Sequence, residues 1–338
     1  ATAVELLQTN VAKRRNTTGS CKKCSADVNR DNTPWRRERI MSALIGYLII
    51  GALSFVSRLP ESLLVAIARA WGRVGPRVMR SRAAMARKNL ARVYTHRDGV
   101  APTSSALDRG IELLFEHHVR FYIETARAPR HARKIIATRV RLESEESVRA
   151  AFTRDSGGGI FLAAHFGAIE LPGSILADRS GMKPVAPMEE LGNPVLQRWM
   201  LRVRGEGLGL RIIRAQGAAA VMSAELAAGG IVGLVGDRNI SGRGVPVSLF
   251  GAPARLPIGA GLLAVESGAR LFVAAVIRED RGLYTGYIRQ VEVPTDGDRM
   301  ERTRAALVGV AAAFEELISK APEQWWTLFY PIWDDLQS

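Results

Sequence analysis

The spacing of apolar residues divides the chain into three textures. Residues 1–38 are polar and basic with no apolar period, which predicts a flexible arm that packs little core. Residues 40–57, IMSALIGYLIIGALSFVS, carry no charge and are bracketed by Arg39 and Arg58. Eighteen residues lie near the lower limit for a bilayer span, so a single span, an interfacial helix and a buried core helix all fit, with length and flanking charge favouring membrane contact. An amphipathic helical pattern follows. Leu63, Ile67, Ala70 and Val74 share one side, Arg69, Arg73, Arg77 and Arg80 recur at i, i+4, i+8 and i+11, and Pro76 is expected to interrupt the helix. A further helix is predicted over residues 104–128, through Leu113, Leu114, Phe121 and Tyr122. The adjacent His117 and His118 cannot face one way on it and read as packing or surface residues.

After residue 150 the period shortens. GGGIFLAAH reads as a buried strand ending at His165, IVGLVGD as another ending at Asp237, and RLFVAAVI as a third; residues 145–155 and 217–230 fit helices between them. Strands alternating with helices predict an α/β fold with a mainly parallel central sheet flanked by helices. The chain thus divides into a basic arm (1–38), a membrane-associating helical region (39–97) and an α/β domain (98–338).

Charge sharpens this division. The formal net charge is +14, and the first 100 residues hold 19 Lys/Arg against 6 Asp/Glu, a net of +13. The nearly neutral remainder leaves the basic third to meet an anionic surface. Nucleic acid is the weaker partner, because the body lacks basic patches interleaved with aromatics and any helix-turn-helix or zinc-finger spacing. A bilayer fits better, each arginine near it contributing roughly 1 kcal/mol. The two cysteines, Cys21 and Cys24, exclude a disulfide framework in the body, and no second pair completes a zinc site. The triplet Asn16-Thr17-Thr18 is a glycosylation sequon that nothing else supports.

Chemistry collects where parallel strands end, and both His165 and Asp237 stand there. Gly167 allows a tight turn after His165, with Glu170 five residues on. A carboxylate on one imidazole nitrogen fixes the tautomer, and the other nitrogen can then take a proton from an alcohol. GEGLGL precedes the strand RIIR, where a dinucleotide fingerprint should follow one. No Walker A loop, Gly-x-Ser-x-Gly elbow or His-Glu-x-x-His occurs.

The block GGGIFLAAHFGAIEL resembles the His-x4-Asp/Glu motif of the lysophospholipid and lipid A acyltransferase superfamily. A second block, from Asp237 and Arg238 through Gly244, Val245, Phe250, Gly251, Arg255, Pro257 and Gly259, resembles that of its bacterial glycolipid branch. The ending PEQWWTLFYPIWDDL, with Trp325, Leu328 and Trp333, is similar to phosphatidylinositol mannoside acyltransferases. The likeness spans roughly residues 40–336.

The resemblance implies a glycerol-3-phosphate acyltransferase-like fold and direct transfer from acyl-CoA or acyl carrier protein to a glycolipid hydroxyl, with no cofactor and no metal. A mannosylated phosphatidylinositol is the expected acceptor; a lipid A precursor is the alternative within the enzyme class, and a non-catalytic membrane-surface protein of the same fold lies outside it. The active site is expected on the cytoplasmic side of the inner (plasma) membrane. His165 maps to the base, Glu170 to the acid of the His-x4-Asp/Glu motif, and Asp237 to a carboxylate that pairs with the histidine. The mannoside branch usually carries Asp at the first acidic position and Glu at the second, so this chain exchanges their lengths. Asp237, on a rigid strand end, is expected to orient the imidazole, and Glu170 to stabilise the turn. Arg238 and Arg255 are expected at phosphate or at the acyl intermediate, unless they form ion pairs with Asp237 or Glu266. Phe250 and Gly251 are carried over as substrate-binding positions.

Overall fold

The computed structural model describes residues 34–151, 157–239, 242 and 244–336. The cysteine pair, the sequon and most of the basic arm lie outside the described residues. Helix α1 (Pro34–Val56) begins inside the predicted arm, on a proline whose fixed φ suits a first helical turn. No single helix among the described residues is long and apolar enough to cross a membrane; residues 40–56 and α2 (Glu61–Val78) are bent by 119° across a short break. Residues 40–56 do not form a buried core helix. Of residues 40–56 only Gly46 is buried, and Ile40, Met41, Leu44, Ile45, Leu48 and Phe55 are exposed.

In α2 the apolar side read from the sequence is not the packed one. Leu63, Ile67 and Val74 face outward, and the buried stripe is Leu64, Ala68, Gly72 and Gly75. Small residues win this contact because they let backbones approach. A Cβ on Gly72 would stand 2.7 Å from the Glu112 carbonyl, and one on Gly75 2.6 Å from the Phe115 ring. Both partners lie on α4 (Ser104–Arg139), whose first turn is capped by the Thr103 side chain. Pro76 sits in the last turn of α2; the helix ends at Val78, and Met79 leaves helical geometry before α3 (Arg80–Asp98) starts. The 36-residue α4 runs past the predicted residue 128, through Pro129. There Ala128 and Ala132 pack on Val203 and Leu208, and burial outweighs the proline penalty.

The α/β body is a seven-stranded sheet. Its strands are β1 (Val140–Leu142), β2 (Gly159–Ala163), β3 (Val185–Met188), β4 (Arg211–Arg214), β5 (Ile231–Val235), β8 (Arg270–Arg278) and β9 (Tyr284–Val291), in spatial order β1-β9-β8-β2-β5-β3-β4. All neighbours are parallel except β8 and β9. This is the predicted mainly parallel sheet. A separate hairpin, β6 (Gly244–Leu249) and β7 (Ala252–Pro257), is antiparallel. Both sheet faces are covered, as the uninterrupted apolar strands require. Ile160 and Leu162 of β2 join Leu271, Val273, Ala275 and Ile277 of β8 in the larger core. Phe161, Phe272 and Ala274 point to the other face, toward Leu176 of α6 (Leu171–Ser180). The period of two thus sends alternate residues into two cores. Helices α5 (Glu145–Ala151), α7 (Pro194–Arg202), α8 (Ala218–Ala227), α9 (Gly259–Ser267) and α10 (Arg299–Ser319) complete the chain order. After α10 the C-terminal segment crosses the strand ends in short 3₁₀ turns and buries Trp325 and Trp333 completely.

Candidate active site

Strands β2 and β5 pair in parallel with Ala163 opposite Val235. The Gly236 amide extends the ladder by donating to the Ala163 carbonyl at 3.0 Å. Two residues past each strand, in the same register, stand His165 and Asp237. Imidazole Nδ1 and carboxylate Oδ1 are 2.7 Å apart. Asp237 is 4% exposed, and its other oxygen, Oδ2, accepts from the Trp325 indole at 2.8 Å and the Thr327 hydroxyl at 2.6 Å. Burial alone would raise the Asp237 pKa from 3.8, but the His165 charge and the three hydrogen bonds outweigh it and hold the carboxyl at about 2. An acceptor-only carboxylate on Nδ1 requires the proton there, which leaves the lone pair on Nε2.

The chain beyond His165 is held from two sides. The His165 carbonyl accepts from the Trp326 amide, the Gly167 amide donates to the Gln324 carbonyl, and the Ala168 amide donates to the Val276 carbonyl. Gly167 has φ +60, and a Cβ there would lie 2.0 Å from the Val276 oxygen. Buried Gln324 exchanges two hydrogen bonds with the backbone of Arg278, whose side chain forms a bidentate pair with Glu124 at 2.6 and 2.7 Å. The imidazole meets the Trp326 ring edge-on, centroids 4.4 Å apart.

Glu170 does not reach the imidazole. It precedes α6 without capping it, is buried, and binds the Arg204 guanidinium through Nη2 at 2.7 Å and Nε at 3.1 and 3.2 Å. Burial opposes the Arg204 charge, but Glu170 outweighs it and raises the guanidinium pKa. The alternative ion pairs of Arg238 and Arg255 with Asp237 or Glu266 are not formed among the described residues. Arg238 lies over the Tyr330 ring at 3.8 Å, Arg255 is exposed and donates to the Gly244 carbonyl at 3.3 Å, and Glu266 binds Arg299. Phe250 and Gly251 are the corner of the β6–β7 hairpin, with φ +50 and +71. The Phe250 ring is 2% exposed, among Trp325, Trp333 and His96. Both residues fit the turn chemistry of the hairpin.

Comparison with known proteins places this geometry. The family model described as "Bacterial lipid A biosynthesis acyltransferase" matches residues 35–333. The chain belongs to that family. It is therefore an acyltransferase. It is 29% identical over 256 residues to a phosphatidylinositol mannoside acyltransferase of Mycobacterium tuberculosis (strain ATCC 25618 / H37Rv), covering 73% of this chain and 76% of the relative. It is 28% identical over 253 residues to a phosphatidylinositol mannoside acyltransferase of strain CDC 1551 / Oshkosh, with the same coverage.

Sequence reasoning about this acyltransferase missed three contributors. Trp325 and Thr327 complete the cradle of Asp237, and Arg204 partners Glu170. The first two carry a signal, since Gln-Trp-Trp-Thr lies in a stretch without apolar period, where large aromatics have no helix or strand face to serve. Arg204 carries none; it lies in a single π-helical turn, Val203–Gly207, between α7 and β4.

Proposed function

We propose that the enzyme moves a fatty acyl group from acyl-CoA or acyl carrier protein to a hydroxyl of a phosphatidylinositol mannoside-type glycolipid at the cytoplasmic face of the inner membrane. The observation that carries this reading is the 2.7 Å His165–Asp237 pair at the ends of adjacent parallel strands. Nε2 of His165 takes the proton of the acceptor hydroxyl as its oxygen attacks the thioester carbonyl carbon. The tetrahedral intermediate collapses with cleavage of the C–S bond, and the imidazolium returns the proton to the leaving thiolate. Asp237 holds the tautomer and stabilises the imidazolium formed between the two steps. No covalent acyl-enzyme is needed. Arg238, next to Asp237 and stacked on Tyr330, and Arg255, exposed on the hairpin, are assigned to phosphate of donor or acceptor. The acceptor class is supported by the names of the two relatives, and the location by the outward apolar residues of α1 and α2 and the exposed arginines of α2.

His165→Ala is expected to lower turnover by ~10²–10⁴-fold with the fold retained. Release of free thiol from acyl-CoA in the presence of acceptor measures it. Near wild-type transfer by a folded variant would remove His165 as the base.

A further inference from the structure

The two adjacent tryptophans of the C-terminal segment treat their indole N–H groups differently. That of Trp325 is satisfied by Asp237 at 2.8 Å. That of Trp326 is inaccessible to solvent and has no hydrogen-bond partner. An unmade bond on a buried donor costs about 1–3 kcal/mol, and such groups in native proteins are rare enough to need a reason. Nothing in the packing supplies one. The Trp326 ring contacts His165 at 4.4 Å, His118 at 5.7 Å and Phe121 at 5.4 Å between centroids. Its backbone amide is committed to the His165 carbonyl at 3.1 Å. The indole is thus fixed relative to the imidazole from both ends, and as a whole is only partly buried.

We infer that Trp326 is a further catalytic residue, whose indole N–H donates a hydrogen bond to the thioester carbonyl oxygen as it becomes the oxyanion of the tetrahedral intermediate. This rests on the reading of His165 as the base. The geometry is of the right scale. Imidazole Nε2, attacking oxygen, carbonyl carbon and oxyanion donor are linked by successive separations of roughly 3 Å or less, and the indole sits directly against the imidazole. The charged donors around the pair have other commitments: Arg204 binds Glu170, Arg278 binds Glu124, and Arg238 stacks on Tyr330 and is assigned to phosphate; the indole N–H, packed against the imidazole, is left for the developing oxyanion. An N–H kept dry and unpaired in the free enzyme needs no desolvation when charge appears. Access requires the groups that cover the indole N–H to part from it on binding.

The test removes the N–H and keeps the ring. The Trp326 indole is replaced by its benzothienyl analogue through non-natural amino-acid incorporation, with Trp326→Phe and His165→Ala made in parallel. Thiol release from palmitoyl-CoA with a phosphatidylinositol mannoside acceptor is measured, together with Tm. The expected result for the benzothienyl protein is a kcat lower by ~10²–10³-fold, the usual effect of losing one oxyanion donor, with KM within about threefold and Tm unchanged. Trp326→Phe should lose at least as much kcat. Unchanged kcat in the benzothienyl protein overturns the inference, as does a loss confined to Tm or KM, which marks a packing role. If His165→Ala is also fully active, the base assignment falls with it; if only His165→Ala is inactive, that assignment stands and the oxyanion role alone is lost.

Discussion

Asp237 shows how one side chain couples stability to chemistry. It accepts from imidazole, indole and hydroxyl while buried, so Asp237→Asn changes more than charge. The amide N–H₂ cannot accept from Nδ1–H, and the ring is driven to the other tautomer, with its lone pair away from substrate. Turnover should fall by ~10³–10⁴-fold. From the strand-end position alone the expectation is little thermal change, but the three hydrogen bonds revise it to a loss of about 1–3 kcal/mol, measurable by urea melts. The pH dependence follows from the direction of the shift. A carboxyl held at about 2 in the folded chain, against an ordinary 3.8, contributes stability that is fully present above 3.8 and is lost as pH falls through 2. Unfolding free energy measured from pH 5 to pH 2 should drop in the wild type and drop less in Asp237→Asn. Which of two acids serves the imidazole was only partly legible in the sequence. Both the five-residue spacing of Glu170 and the strand end of Asp237 were compatible with it, and register decided, because β2 and β5 are direct neighbours.

The turn after β2 and the hairpin corner are where single residues hold whole elements. Gly167→Ala meets a positive φ and a Cβ 2.0 Å from the Val276 oxygen. The turn must open, and a loss of at least ~2 kcal/mol is expected with activity falling in parallel, since His165 loses its anchor on β8. Calorimetry with the transfer assay checks both; an unchanged Tm would mean that the turn relaxes freely. The ion pair behind α6 follows another rule. Arg204→Met strands the buried Glu170 carboxylate and should cost about 3 kcal/mol. The double variant Glu170→Gln with Arg204→Met should recover most of that loss, because removing both charges removes the desolvation as well. Equal melting of the single and double variants would argue against a coupled pair. That pairing was hidden from pattern reading, which locates strand ends and turns but not what a later π-helical turn brings against them.

Across the whole molecule, charge and apolar surface coincide. The first hundred residues carry a net +13, and α1 and α2 keep Leu48 at 73% and Val78 at 64% exposure. Exposed Arg73 and Arg77 accompany them. An apolar face rimmed by arginines fits an anionic bilayer surface, where attraction is screened over roughly 8–10 Å at physiological salt. Flotation with phosphatidylglycerol-containing vesicles should show binding that weakens as salt rises. Arg73→Glu with Arg77→Glu should reduce it by ~10-fold or more, from about 1 kcal/mol per charge. Equal binding to neutral vesicles at every salt concentration would instead mark purely apolar insertion.

The sequence by itself determined the α/β class, the strands that end at His165 and Asp237, and the concentration of positive charge near the start. These are local properties, written in periodicity, glycine placement and composition. Tertiary structure alone decided what crosses between elements. It set Asp237 on the imidazole by strand neighbourhood, turned Glu170 to Arg204, and placed Phe250 in the core as a hairpin corner. It also chose the face of α2 that packs on the body. Leu63, Ile67 and Val74 stay exposed on the membrane-associating side read from the sequence, while close approach to α4 selects Gly72 and Gly75 for the buried stripe. A helix pair buries whichever stripe permits the shortest backbone distance, and that choice depends on the partner's surface, which no local pattern contains.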